Sequence, residues 1–356
     1  MTNYLTRVTL GFVGWWILLM PFDYGLLDWF FKSVQQPFYF LFRQFDPTLI
    51  FETDTTGYFV ICISCLLLGI ISEPLLTLIA NRTKYSISNV LHQLLRALLV
   101  FYLVSYGWYK LNGVQFYPPS SNILYTPLGK LSKDIVFWSL AGSAPLFSFV
   151  LGIIELITAL LLLLKRTRFI GAILSVFVFG FIFLINLSFD ISVKGLSGSL
   201  LLFVLIYQFF FIEQWQQLLA LPKDKKALSF QRKHLVAYLL VVLLVVEVVS
   251  PKKVEQDNKQ QFHYTDRAFE IIGHQQFNYV FVHPMNYIIL ADKTNQFTDF
   301  RIVSGNKEFC RFPLGSINFS QNTMKLNNEL VKMKVLTPEI LPFNNKEIHL
   351  FSDKFH

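Results

Sequence analysis

Runs of apolar residues about as long as a bilayer is thick dominate the pattern of this chain. A hydrocarbon layer of about 30 Å takes about 20 helical residues to cross. Runs of that kind lie near 8–27, 57–80, 90–109, 146–164, 169–187, 196–212 and 235–250, and they predict seven transmembrane helices. The first run ends without a small-residue cleavage site and continues into Met20-Pro21-Phe22-Asp23, so it reads as a retained anchor rather than a signal peptide. Between the first two runs, residues 28–56 are aromatic and amphipathic, with Pro37 and Pro47, and predict an element lying along the membrane surface. Residues 110–145 form a long connection in which Tyr117-Pro118-Pro119-Ser120-Ser121 prevents a continuous helix.

After Ser250 the period changes. Residues 259–356 alternate apolar and polar positions, as at Tyr279-Val280-Phe281-Val282 and Tyr287-Ile288-Ile289-Leu290, with turn signals at His283-Pro284, Gly305-Asn306 and Asn344-Asn345. This predicts a small domain of short antiparallel strands. The expected fold class is therefore an all-α polytopic membrane bundle with a small β-rich extramembrane C-terminal domain. Its parts are N-terminal membrane helices and a surface segment (1–89), a four-helix core (90–220), a cytoplasmic loop with a seventh helix (221–250), and the external domain (251–356).

Composition agrees: 53% of residues are hydrophobic, 17% aromatic and 15% charged, which no ordinary water-soluble chain of this size shows. The charge decides orientation, because cytoplasmic loops carry the excess of Lys and Arg. Arg7, Arg82, Lys84, Lys165, Arg166, Arg168, Lys223, Lys225, Lys226, Arg232 and Lys233 fall on one side in short connections, and only Lys32, Arg43, Lys110, Lys130, Lys133 and Lys194 on the other. The N-terminus is thereby expected in the cytoplasm and the C-terminal domain outside, in a bacterial inner membrane. Residues 251–356 carry 13 Lys or Arg against 11 Asp or Glu. The +8 net charge is then a matter of topology, and no basic patch argues for nucleic acid.

Ionisable groups within the spans are the candidate chemistry, since they are costly there and tend to face the bundle interior. His92, Arg96, Leu99, Leu103, Tyr106 and Lys110 recur at helical spacing and share one face. Glu155 lies mid-span on a face with Gly152 and Ala159, small residues that let a neighbouring helix approach. Arg96 and Glu155 are expected to be counter-ions. Tyr106, Lys110, Gln115, Asn186, Asp190 and Lys194 are expected to line, with them, one polar ligand pocket opening outward. The plainer readings are a structural ion pair for the first two and a loop-ordering network for the rest.

Cys62 and Cys65 share a helical face and invite a redox reading, but no cation lies nearby in sequence to make a thiolate, and a buried apolar role fits them better. Glu73 and Glu247 sit near span ends and are expected to reach interfacial water. The histidines show no metal-ligand spacing, and no haem, flavin, phosphate-loop or nucleophile-elbow signature is present.

One set of spaced residues resembles the DoxX-like family of small four-helix membrane proteins, in the larger form with an appended external domain. The set is Arg96, Tyr106-Gly107-Trp108-Tyr109-Lys110, Gln115-Phe116, the Pro-rich turn, Trp138, Gly152 with Glu155, Leu161-Leu162-Leu163-Leu164-Lys165-Arg166-Thr167, and Asn186-Leu187-Ser188-Phe189-Asp190-Ile191-Ser192-Val193-Lys194. It spans the third to sixth apolar runs. The resemblance implies a four-helix core and a membrane subunit beside thiol or quinone redox chemistry. A quinone is then the expected small ligand, and an electron-transfer protein the expected partner besides the lipid bilayer. The competing expectation is a non-enzymatic scaffold whose external domain engages an envelope partner or lipid. A transporter is disfavoured, because neither an internal repeat nor paired broken helices are visible.

Overall fold

The computed structural model describes residues 3–21, 28–83, 86–116, 118–219, 264–283, 286–294, 296–327 and 329–337. Among these, five helices are long and apolar enough to cross a membrane, as an integral membrane protein requires. They are α3 (Thr56–Arg82), α4 (Ile87–Leu111), α7 (Pro145–Leu163), α8 (Arg168–Ser188), and α9 (Lys194–Gln208), whose apolar stretch runs on to Trp215. A sixth helix, α1 (Asn3–Leu19), is apolar but only 17 residues long. It starts earlier than the 8–27 run, at Asn3, and ends earlier because Pro21 cannot continue a helix and disfavours helical backbone just before it. The run at 235–250, with Glu247, lies outside the described residues.

The chain forms two compact units that do not follow sequence order. The first contains α1, α3, α4 and, from Phe149 onward, the later helices; the second joins Gly113–Ser148 to the C-terminal strands.

In the first unit α1 packs along α3, and the contact is backbone on backbone. A Cβ on Gly69 would lie 2.7 Å from the Phe12 nitrogen, and one on Gly11 would lie 2.9 Å from the Gly69 Cα. Apolar side chains gain little by leaving lipid for a helix interface, so such close fits hold helices together. At one end of this pair Arg7 Nε donates to Glu73 Oε1 at 2.7 Å, and Thr77 donates to the same oxygen. Glu73 thus has a cation as its partner rather than interfacial water alone, since the close packing of α1 brings Arg7 within reach. At the other end α2 (Asp28–Arg43) crosses the last turn of α1. There Gln35 Nε2 donates to the Met20 carbonyl and Tyr39 OH to the Leu19 carbonyl, both at 2.6 Å, satisfying acceptors that a helix end leaves open. Trp16 of α1 meets Phe203 of α9 edge-on at 4.9 Å, and both are buried in one continuous apolar core.

The second unit is built on nine strands: β1 (Arg267–Ile272), β2 (Phe277–His283), β3 (Tyr287–Asp292), β4 (Phe297–Arg301), β5 (Ser304–Gly305), β6 (Phe309–Phe312), β7 (Gly315–Asn318), β8 (Thr323–Leu326) and β9 (Glu329–Leu336). All neighbours pair antiparallel, in the order β4-β3-β2-β1-β9-β8-β7-β6-β5. The edge strands β4 and β5 are joined by Ile302 and Val303 alone, so the sheet has to curl until its edges meet. The linker bridges both edges: Ile302 N–H donates to the Asn286 carbonyl (2.9 Å) and Val303 N–H to the Arg311 carbonyl (2.8 Å). One face therefore turns inward, and Phe269, Val280, Ile288, Leu290, Cys310, Phe312, Ile317, Met324 and Val331 form a single core inside this half-barrel. The expected turn at Gly305-Asn306 is present, with Asn306 Oδ1 accepting the Glu308 and Phe309 N–H groups.

The connection 113–148 contributes α5 (Ser121–Leu124) and α6 (Lys133–Ser143). Tyr125 covers Phe281, Ala268 and Ala291 on the outer face of β1 to β3. Ser121 donates to Asp266 Oδ2 through both its N–H and its hydroxyl, at 2.9 and 2.8 Å. What reads in sequence as an external loop is thus a cladding layer of the β unit.

Cys310 is fully buried in that core, and burial pushes its thiol pKa up to about 12. Its folded pKa lies above the roughly 8.5 of a free thiol, so protonation favours the fold. That stability is complete below pH about 8.5 and declines by up to about 1.4 kcal/mol per pH unit as the pH rises towards 12. Mass-spectrometric mapping of alkylated cysteines at pH 8 is expected to find Cys310 unmodified in the native protein and modified once denaturant is added.

Candidate functional site

The buried face of α4 is the one its spacing predicts: Arg96, Leu99, Leu103 and Lys110 are buried, and His92 and Tyr106 are half-buried. The ion pair it forms is not the expected one. Lys110 Nζ donates to Glu155 Oε1 at 2.7 Å, with both side chains about nineteen-twentieths covered (5% and 4% exposed). Arg96 lies fourteen residues back along the same helix, about 21 Å away at roughly 1.5 Å per residue, too far for its side chain to reach that carboxylate. The expected Arg96–Glu155 pair is therefore not formed. The crossing of α4 and α7 places Glu155 instead beside the far end of α4.

That crossing depends on two glycines. A Cβ on Gly152 would lie 2.8 Å from the Gly107 carbonyl oxygen, and one on Gly107 would lie 3.0 Å from the Gly152 oxygen, with Leu156 and Leu111 packed on either side. The helices touch through backbone, one turn from Lys110 on α4 and one turn from Glu155 on α7, so two side chains from different helices span a short gap. Tyr106 completes the site: the ammonium of Lys110 sits 5.6 Å from its ring centroid, a cation–π contact. Tyr102 stacks on Tyr106 at 6.0 Å. One carboxylate oxygen is left over. Glu155 Oε2 is buried and accepts no hydrogen bond from the protein, although a carboxylate can accept several.

The other sequence-predicted residues fall elsewhere. Asn186 is buried near the end of α8, where its carbonyl accepts the Ile191 N–H. Lys194 Nζ lies 2.8 Å from Asp190 Oδ1 and 3.3 Å from Asp54 Oδ2. Asp54 is the residue sequence reasoning missed. Its carboxylate accepts the backbone N–H groups of Lys194 (2.9 Å) and Gly195 (2.5 Å), which caps the first turn of α9 from a distant part of the chain. Tyr58 crowds Gly195 and bonds Ser199 at 2.8 Å, so this group orders a helix start. Gln115 belongs to the β unit. Its side-chain oxygen is buried and accepts no hydrogen bond.

At the opposite end of α4, His92 stacks on Tyr207 at 5.1 Å and meets Phe210 edge-on, a helix-contact role. Cys62 and Cys65 are free thiols, Cys65 fully buried, and the polar groups beside Cys62 are the hydroxyls of Tyr58 and Ser199 rather than a cation. Among the described residues no cluster of His, Cys, Asp and Glu has the make-up of a metal site.

Removing one member of a buried ion pair strands the other. Lys110→Met is expected to cost about 3 kcal/mol or more, and Lys110→Met with Glu155→Leu to recover much of that, measured by denaturation in detergent micelles. Asp54→Ala is expected to cost about 1–2 kcal/mol through loss of the α9 cap, read as a lower Tm in the same micelles. Compared with family models, with curated proteins and with solved structures, the chain finds no match in any of the three.

Proposed function

We propose that this protein is a DoxX-like integral membrane subunit that binds a small quinone-like ligand at Lys110 and Glu155, beside a thiol or quinone redox system. The observation that carries the reading is the buried Glu155 Oε2 that accepts no hydrogen bond. A buried acceptor left open costs free energy unless something supplies a donor, and a ligand hydroxyl is the group it lacks. The adjoining ammonium is a donor suited to a ligand carbonyl, and the stacked Tyr106 and Tyr102 put an aromatic surround beside it. A quinone and its quinol present these groups on an apolar body that partitions into a bilayer. The chain's part would be to bind and orient, with electrons passing through a partner protein.

The spacing of Arg96, Gly107, Lys110, Gly152, Glu155, Asn186, Asp190 and Lys194 supports the family assignment, now with a packing reason for Gly107 and Gly152. The five membrane-length helices, with α1 and the apolar run at 235–250, support seven spans. The side-to-side bias of Lys and Arg supports a cytoplasmic N-terminus and an external β unit, in a bacterial inner membrane. A second reading, a non-enzymatic scaffold, draws on the β unit, where Ile272 and Leu330 stand exposed (55% and 72%) on strand surfaces, as a docking site for an envelope partner would.

The test is to purify the protein in mild detergent, extract bound small molecules and identify them by mass spectrometry. A quinone is expected with wild type. Retention is expected to fall at least tenfold with Glu155→Gln, since a hydrogen bond to a charged group contributes about 1.5–3 kcal/mol. Arg96→Ala, a helix length away, is expected to retain the ligand. An empty wild-type protein would favour the scaffold.

A further inference from the structure

The helix α2 has three distinct surfaces, and they follow from its sequence at about 100° of rotation per residue. One sector packs inward. Gln35 and Tyr39 are buried and hold the terminal carbonyls of α1, and Val34, Phe38 and Phe42 pack against the apolar core. A second sector is polar and exposed, with Lys32, Gln36 and Arg43 falling within about 40° of one another around the axis. The third, turned away from the core, is apolar and exposed: Trp29 (71%), Phe40 (65%), Leu41 (55%) and Phe30 (43%), with Pro37 among them.

The hydrogen bonds to Leu19 and Met20 fix the depth of this helix. They hold it across the last turn of α1, and in a chain that reads as a membrane bundle the end of such an apolar helix falls near the boundary between hydrocarbon and headgroups. A helix at that boundary with an aromatic sector and a separate basic stripe matches the chemistry of a phospholipid leaflet, apolar chains on one side and anionic phosphates on the other.

We propose that α2 lies in the membrane plane as an interfacial helix, its aromatic sector in the upper acyl region and its Lys32–Arg43 stripe on the phosphates of anionic phospholipids. The occupant of the exposed face is lipid, and the helix acts as a float that holds the outer ends of α1 and α3 at one depth. The inference is independent of any ligand at Glu155.

The test uses the full chain in vesicles of phosphatidylcholine and phosphatidylglycerol. The fluorescence component that disappears in Trp29→Phe is expected to be quenched by lipids brominated high on the acyl chain and not by aqueous iodide. Quenching by iodide alone would put the helix in water. Protection from both would mean that protein covers it, a second copy or a partner, and either result overturns the proposal. The variant carrying Lys32→Gln and Arg43→Gln is expected to lower the phosphatidylglycerol to phosphatidylcholine ratio of co-purified lipid at least fivefold, with Trp29 quenching unchanged. An unchanged ratio would overturn the headgroup contact.

Discussion

Close backbone contact between helices is the constraint on which the membrane unit depends. In lipid, burying a leucine against another helix gains little, so helices stay together where shape lets many atoms touch at once. Gly11 with Gly69, and Gly107 with Gly152, supply such places. The second crossing also has a chemical consequence. It brings α4 and α7 near enough for Lys110 and Glu155 to meet at 2.7 Å, a distance that bulkier residues at the crossing would open. A buried charge pair of this kind is tolerable only with good geometry on both sides, yet one carboxylate oxygen is left without a donor. That open acceptor is the observation on which the proposed function rests.

Helix ends in this unit are satisfied by side chains from far along the chain. The last carbonyls of α1 are taken by Gln35 and Tyr39, and the first N–H groups of α9 by Asp54. These contacts place α2 against the end of α1 and fix the start of α9. Lys194 and Asp190, which look like a ligand site in isolation, join this end-capping work through Lys194, which bridges Asp190 and Asp54.

The β unit solves a different problem. A nine-stranded antiparallel sheet has two edges that invite unwanted pairing. Here Ile302 and Val303 tie one edge to the other, and the curl encloses an interior filled by the unit's own side chains. The segment 113–148 then clads part of the outside, so Phe281 and Ala291 are covered from within the same chain.

The sequence by itself determined five of the stretches that become membrane-length helices, where strands replace them, and which face of α4 is buried. Those properties follow from local period and length: the buried positions Arg96, Leu99, Leu103 and Lys110 repeat with the turn of the helix, and Tyr279 to Val282 and Tyr287 to Leu290 alternate with the pleat. The close-contact role of Gly152 was equally visible, because a small residue beside a buried carboxylate is a local signal. Partner choice was decided by the tertiary structure alone. Glu155 could be seen to need a cation, but whether Lys110 or Arg96 supplies it depends on where α7 crosses α4, and the Gly107–Gly152 contact sets that crossing at the Lys110 end. Asp54 carries no local sign that it caps α9, some 140 residues away, and nothing in residues 113–148 announces that they clad a sheet formed much later in the chain. Periodicity reports which side of an element is hidden; what it is hidden against is a long-range property that only packing resolves.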